Sequence, residues 1–278
     1  IIDNLNNLSL ENSLNSLIRG AEKKLSTHID DVIVLYDSPK YYSLDISIKK
    51  TFDYSSPLNK AYNNLVEEAN FIVSQNNFKD QIIHVAVNSI TINENKKFDK
   101  IIDETKIKSL ILEIKFICLN KVLVKSVINK FKKINLKIIK IYCSSYVKTI
   151  FHKKKFYGKD YLIYLDIGFD RTSSLIFNND KFIFFNSVPV GGNNITKDIS
   201  KVLKLNLDYS EDLKIKFNKI ESDISFDKSE PNMINPYSVI LEKNISIDLL
   251  KKIIVARIDE IMELVVFKSN FYKNINST

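Results

Sequence analysis

Tryptophan is absent from this chain, cysteine occurs only as Cys118 and Cys143, and the only arginines are Arg19, Arg171 and Arg257. Each scarcity excludes something. Two cysteines in separate apolar contexts cannot build a disulfide framework and read as buried, reduced, cytosolic thiols. With 41 basic residues and a net charge of +8, so few arginines argue against a nucleic-acid partner. Base readout favours Arg and nonspecific binding favours a clustered basic face, whereas the lysines here are scattered with Asn and Ile along the whole chain. The short basic run His152 to Lys155 reads as a solvated loop. No apolar run reaches the roughly 18 to 20 residues of a membrane span. The sequence starts at Ile1 with no charged leader ahead of an apolar stretch, and it reads as cut from something longer. His28, His84 and His152 are far apart and lack Cys or His partners at metal-ligand intervals, which argues against zinc. No G-x-S-x-G nucleophile turn is present.

What is present is enough apolar material, 45% of 278 residues, for one large core or two modest ones. Helical spacing of Leu10, Leu14, Leu17, Ile18, Ala21 and Leu25 predicts an opening helix over about 9–25, followed by a strand over 31–36. After Pro39 the texture changes. SLDISI alternates like a half-buried strand, Pro57 opens a helix carrying Leu65, Val66, Ala69 and Val73, and strands follow at about 81–87 and 107–118. A helix starting near Asn120, a strand (LKIIKIY) and a short helix near Tyr146 come next. Two helices from about Asn194, a polar stretch over 221–230, short strands near 237–241 and a long helix from Ile247 to Asn270 capped by Ser246 complete the reading. Helix, strand, excursion, helix, strand is the order of an α/β domain interrupted by an inserted α+β subdomain.

Glycine is also scarce, and three of the five, Gly168, Gly191 and Gly192, fall in one stretch. The apolar run Tyr161 to Asp166 ends in a carboxylate, IGFDRTS turns the chain, 181–189 returns as a strand, and GGNNITKDIS starts a helix with Ile195, Ile199, Val202 and Leu203 on one face. Glycines beside a helix start suit a phosphate, because backbone amides can approach an anion there and the helix end adds partial positive charge.

Four strings in order, DIGFDRTSSLIF, FFNSVPVGGNNITKDIS, SEDLKIKFN and IIVARIDEIMELV, resemble the FtsA family, the actin-like proteins that tether the FtsZ ring in bacterial cell division. PVGGxxITxDI followed by an E-x-x-K helix is its distinctive signature. The resemblance implies an actin-like (RNase H-like) ATPase fold, truncated at both ends. It implies a first subdomain over 1–37 and 119–155, an inserted SHS2-type subdomain over 38–118 and a second subdomain over 156–190 and 264–278. An FtsZ-binding subdomain would occupy 191–263. The family's filament self-association, its other division-protein partners and its peripheral place on the cytoplasmic face of the inner membrane, through a C-terminal helix not in this sequence, come with it. PilM-like pilus assembly proteins and actin-fold small-molecule kinases are the rival readings.

The resemblance also implies ATP and Mg2+ as ligands. Asp166 matches the family's catalytic carboxylate near the metal-bound phosphates, holding Mg2+ through water; an Asp at a strand end is equally an ordinary turn starter. Gly168, Arg171, Thr172, Gly191 and Gly192 would line the phosphates. Glu211 and Lys214 match the E-x-x-K pair that reaches ribose and adenine, although Asp208 and Glu211 also read as a capping-box variant. Arg257 and Glu260 lie where the family meets the acidic and apolar FtsZ tail, or form a surface ion pair. The last helix carries Leu250, Ile254, Ile258, Ile261 and Val265 as its core face. The turn departs from the family's G-G-T-x-D pattern with Phe169, Asp170, Arg171, Thr172 and Ser173. A left-handed Phe169 would cost about 1 to 2 kcal/mol, and Asp170 would repel a phosphate unless it points outward and Arg171 offsets it. The sequence therefore predicts a slow or inactive ATPase acting as a nucleotide-gated scaffold.

Overall fold

The computed structural model describes residues 7–94, 96–98, 107–153, 155, 161–179, 181–225 and 246–267. It is a mixed α/β protein, and its chain divides into two compact units. Unit 1 comprises residues 1–166 and 173–187, and unit 2 comprises residues 167–172 and 188–278.

Unit 1 begins with helix α1 (Asn7–Leu25) and strand β1 (Asp31–Tyr36), which pairs in parallel with β6 (Lys137–Cys143). Between these two partners the chain builds a separate four-stranded sheet in the order β2-β5-β3-β4. Its strands are β2 (Tyr42–Ser56), β3 (Asp80–Ile92), β4 (Lys96–Phe98) and β5 (Ile107–Asn120), and helix α2 (Leu58–Asn76) packs on it. The excursion expected from sequence is thus a sheet of its own, inserted between two strands that pair with each other.

Strand β5 explains why this insertion is fastened to the rest of unit 1. Leu110, Leu112, Ile114, Phe116 and Cys118 point one way and pack with Leu58, Ala61, Leu65, Ala69 and Val73, the buried stripe of α2. That stripe recurs at three- and four-residue spacing, and its two alanines let helix and sheet approach closely. Ile117 and Leu119 point the other way, into a second core with Tyr36, Val124, Val127, Phe131, Phe177 and Phe182. A strand buried on both faces needs an almost continuous apolar sequence, which SLILEIKFICL supplies. The exception is Lys115, only 3% exposed, whose Nζ reaches Asp45 Oδ2 at 2.7 Å across the β2–β5 ladder and lies over the Phe182 ring. A second tie is polar: Asn88 Nδ2 donates to Phe182 O at 2.8 Å while Asn88 Oδ1 accepts from Phe182 N at 2.9 Å.

Helix α3 (Lys121–Lys132) is capped by Asn120, whose Oδ1 accepts from Val122 N at 2.9 Å, and α4 (Ser144–Lys153) follows β6 directly. A third sheet has the order β7-β8-β9, formed by Tyr161–Ile167, Thr172–Asn178 and Lys181–Val188. Its middle strand is buried from Thr172 through Phe177.

Unit 2 is built from α5 (Gly192–Leu203), α6 (Leu207–Ser225) and α7 (Ile247–Met262), which share a core of Ile195, Ile199, Leu213, Phe217, Leu250 and Ile254. Ser246 caps α7 as expected, accepting from Leu249 N. Beyond Met262 the chain continues as one wider helical turn over Glu263–Phe267. Several periodic positions differ from the expectation: Leu17, Leu25, Val202 and Ile258 are exposed. Helical spacing defines a stripe, but the width of the neighbour covering it decides which edge positions are buried. Strand β4 was not foreseen, and β2 and β3 run longer than expected. The expected strands near 237–241, the polar stretch from 226 to 230 and the last helix beyond 267 lie outside the described residues.

His84 of β3 is held between the rings of Tyr142 and Tyr146, and its Nε2 accepts from Cys143 N at 2.9 Å. Burial, reinforced by Lys140, pushes its pKa down to about 4. The unfolded chain therefore binds a proton that the folded chain refuses between about pH 6.5 and 4, so stability falls as pH drops through that window. We predict that His84→Gln, which keeps an acceptor but does not titrate, flattens the pH dependence of urea unfolding there by up to about 1.4 kcal/mol per pH unit. Superimposable wild-type and variant profiles would refute this role.

Candidate functional site

Within unit 2, the turn over 167–172 meets the start of α5 backbone to backbone. Gly168 N donates to Arg171 O at 2.8 Å and closes the turn. Gly192 N then donates to Gly168 O at 2.8 Å, and Asn193 N to Phe169 O at 2.8 Å. Asn194 N donates to Gly191 O at 3.0 Å, and Asn194 Oδ1 accepts from Gly191 N at 3.0 Å. Thr172 is fully buried and its hydroxyl donates to Val190 O at 2.7 Å. Asp170 accepts from Asn193 Nδ2 at 2.9 Å.

Gly191 is indispensable to this contact for a reason of space. Its φ of −156° is open to any residue. A Cβ there, however, would lie 2.5 Å from Gly168 O, 2.6 Å from Phe169 O and 2.7 Å from Arg171 N, three backbone atoms that cannot swing aside. At Gly192 the nearest atom would be Lys214 Nζ at 3.5 Å, an ordinary contact. Phe169 is not among the non-glycine residues with positive φ, so the anticipated strain does not arise.

The E-x-x-K pair packs beside the second glycine. Asn206 Oδ1 accepts from Tyr209 N at 2.8 Å and caps α6, so Asp208 lies inside the helix and does not start it. Glu211 and Lys214 then face α5. Lys214 Nζ donates to Glu211 Oε2 at 2.7 Å, Thr196 Oγ1 at 3.0 Å and Gly192 O at 3.2 Å, and Thr196 Oγ1 also pairs with Glu211. Burial alone would raise the Glu211 pKa, but the hydrogen bonds from Lys214 and Thr196 outweigh it and hold the carboxyl below its usual range.

Arg257 of α7 grips Asp198 of α5 with two nitrogens, Nε at 2.6 Å and Nη2 at 3.0 Å, and pairs with Glu260 one turn along. Hydrogen bonding to Asp198 pushes its pKa further up. These residues border an open groove of about 680 Å³ between α5 and α7, lined also by Lys201, Val202, Lys252 and Ala256.

Asp166 belongs to unit 1. Its carboxylate accepts from Ser145 Oγ at 2.9 Å and from Lys148 Nζ at 3.1 and 3.3 Å, both on α4, and Ser145 Oγ also lies 3.3 Å from Asp37 Oδ1.

The structure thus gathers Gly168, Arg171, Thr172, Gly191, Gly192, Glu211 and Lys214 in one unit, with Arg257 and Glu260 on a different helix of it. Asn193, Asn194, Thr196, Asp198, Ser145 and Lys148 are equally engaged and went unnoticed in sequence. The Asn-Asn pair after the glycines, with its capping chemistry, was the one usable signal; Thr196 and Asp198 meet their partners on other helices, and Ser145 and Lys148 meet theirs on β7. The phosphate-side residues do not fit a metal triphosphate. The α5 amides are spent on carbonyls and on Asn194, Asp170 adds negative charge beside them, and Asp166 is paired with an ammonium. Among the described residues no group of three His, Cys, Asp or Glu side chains could hold a metal.

Comparison with known proteins centres on the same region. Residues 163–266 match the family model of cell division protein FtsA, in agreement with the resemblance drawn from the sequence strings. No curated protein matches the chain. Among solved structures it is similar to the PilM-PilN type IV pilus biogenesis complex, at 13% identity over 80% of this chain and 56% of that one, with a TM-score of 0.48. It is similar to ethanolamine utilization protein EutJ from Carboxydothermus hydrogenoformans, at 15% identity over 35% of this chain and 34% of that one, TM-score 0.27. A Bacteroides thetaiotaomicron protein with an actin-like ATPase fold and unknown function shows 12% identity over 65% of this chain and 56% of that one, TM-score 0.27. The chain covers less than two thirds of the length of each.

The two glycines should respond differently to the same substitution. Gly191→Ala is expected to cost about 1 to 3 kcal/mol of unfolding free energy through overpacking against backbone. Gly192→Ala should change it by less than about 1 kcal/mol, since its Cβ finds ordinary contacts. Equal losses in urea titrations would show that space is not what selects the first glycine.

Proposed function

We propose that this chain is the body of a cell-division scaffold of the FtsA type, an actin-like ATPase-fold protein that self-associates and recruits FtsZ. The observation that carries the reading is the family match over 163–266, which spans the glycine turn, the E-x-x-K helix and the Arg257 helix together. In this reading the four-part division expected from sequence holds, with the inserted sheet of 38–118 contributing to self-association. The scaffold sits on the cytoplasmic face of the inner membrane at the division site, attached through a C-terminal amphipathic helix. Among the described residues no helix is long and apolar enough to cross a membrane.

The α5–α7 groove is the proposed seat of the FtsZ tail. Exposed Val202 and Ala256 offer apolar contact to the tail's apolar residues, and Lys201, Lys252 and Arg257 offer positive charge to its acidic ones. Asp198 and Glu260 set the direction of the Arg257 fork, which is a positioning role for both. Of the ligands the resemblance brings, Glu211 and Lys214 are the residues that would hold the ribose and adenine of ATP. Hydrolysis is no part of the proposal, because the phosphate-side residues are engaged with one another.

The test is binding of an FtsZ C-terminal peptide to the full-length protein by fluorescence anisotropy. Lys252→Glu and Arg257→Glu are each expected to weaken it tenfold or more, a loss of about 1.4 kcal/mol. Lys252→Glu leaves the Arg257–Asp198 pair intact, so its thermal midpoint should match wild type. Peptide affinity unaffected by both substitutions would overturn the site, and absence of any binding would overturn the FtsZ reading.

A further inference from the structure

The groups that the resemblance assigns to a metal triphosphate each face a counter-charge or a hydrogen-bond partner from the chain itself. At the start of α5, the amides of Gly191, Gly192, Asn193 and Asn194 all donate within the protein, to Asn194 Oδ1, Gly168 O, Phe169 O and Gly191 O. The negative charge that a helix N-terminus favours is also in place. It is the Asp170 carboxylate, fixed by the Asn193 side-chain amide at 2.9 Å. In unit 1 the cation expected beside Asp166 is Lys148, whose ammonium lies 3.1 Å from one carboxylate oxygen and 3.3 Å from the other. The two observations are independent, since they involve different residues in different units.

We propose that each unit is self-liganded on its own: in unit 2 Asp170 stands where an anionic phosphate would neutralise the α5 terminus, so the turn keeps its shape without nucleotide, and in unit 1 Lys148 stands where Mg2+ would neutralise Asp166. Three features of the chain agree. Asp170 occupies a position where a phosphate loop cannot use a carboxylate, because like charges in close contact repel. Asn193 follows the paired glycines at the second position of α5, where its side chain can reach back to the turn. Gly191 brings the two backbones so close that carbonyls, and not a ligand, fill the amide positions. A scaffold held in this way is assembled constitutively, where a nucleotide-gated one would wait for ATP. The inference rests on the nucleotide-site part of the reading above and not on its partner. FtsZ-peptide binding can fail while it stands, and the reverse.

The experiment is hydrogen exchange of the full-length, nucleotide-free protein, combined with thermal melting in millimolar Mg-ATP, Mg-ADP or Mg2+ alone. The amides of 191–194 should be protected without any ligand, Mg2+ alone should leave the melting midpoint in place, and Mg-ATP and Mg-ADP should move it by the same amount, through the nucleoside contacts alone. Asp170→Ala should lower the ligand-free midpoint and speed exchange at 192–194, while Asp170→Asn, which keeps an acceptor, should recover the protection in part. Lys148→Met should lower the midpoint independently, with exchange at 192–194 unchanged. Amides that exchange freely until Mg-ATP is added, or a wild-type midpoint raised by Mg-ATP and insensitive to it in Asp166→Asn, would overturn the proposal.

Discussion

A backbone-to-backbone contact organises unit 2. Two carbonyls of a tight turn accept from two consecutive amides at the first turn of α5, and no side chain stands between them. Helix ends are ordinarily completed by capping side chains or water. Here they are completed by another segment of main chain, which fixes both position and direction of α5 with two short bonds. From α5 the order propagates. Its Gly192 carbonyl and Thr196 hydroxyl receive Lys214 of α6, and its Asp198 receives Arg257 of α7. Three helices are thus keyed to one turn by polar contacts on one side and by the Ile195, Ile199, Leu213 and Leu250 core on the other.

The ion pairs of this molecule do more for geometry than for stability. Glu211 and Lys214 are partly exposed, as are Arg257 and Asp198. Pairs of that kind contribute about 0 to 1 kcal/mol, less in salt. Their value lies in direction: a guanidinium gripped by two carboxylate contacts cannot rotate, and an ammonium with three acceptors points one way. Lys115 is the contrasting case. It is almost fully enclosed, with Asp45 as its counter-ion and an aromatic face above it. Removing Asp45 would strand a buried charge, which costs far more than the pair contributes.

Strand β5 shows how an insertion can carry its own sheet and still be one body with its host. Its alternate residues belong to different cores, so neither core is complete without it. The Asn88 side chain adds a pair of hydrogen bonds to Phe182 that copy the pairing of one strand residue with another. An insertion attached only by loops would be free to swing; this one is welded by a shared strand.

Much of this was legible in sequence, and the division is physical. Periodicity and punctuation located β1, α2, α3, β6 and α5, together with the caps Asn120 and Ser246, because those signals are local: a repeat of two or 3.6 residues, and a short polar side chain that can reach its own helix. The strings around Gly168, Gly191 and Glu211 sufficed to suggest a family. What sequence could not supply was the identity of each partner. It marked Gly191 as special but not why, since the reason is three backbone atoms brought from twenty residues away. It left open what Asp170 and Arg257 would meet, and both have partners on α5. It placed Val202 and Ile258 on buried stripes, and both are exposed among the described residues. Sequence alone determined where most of the described helices and strands form and which residues are chemically unusual, while β4 and the full length of β2 and β3 came from pairing within their sheet. Tertiary structure decided what satisfies each charge and each amide, because hydrogen bonds reach only about 3 Å and the atoms within that distance are chosen by the fold.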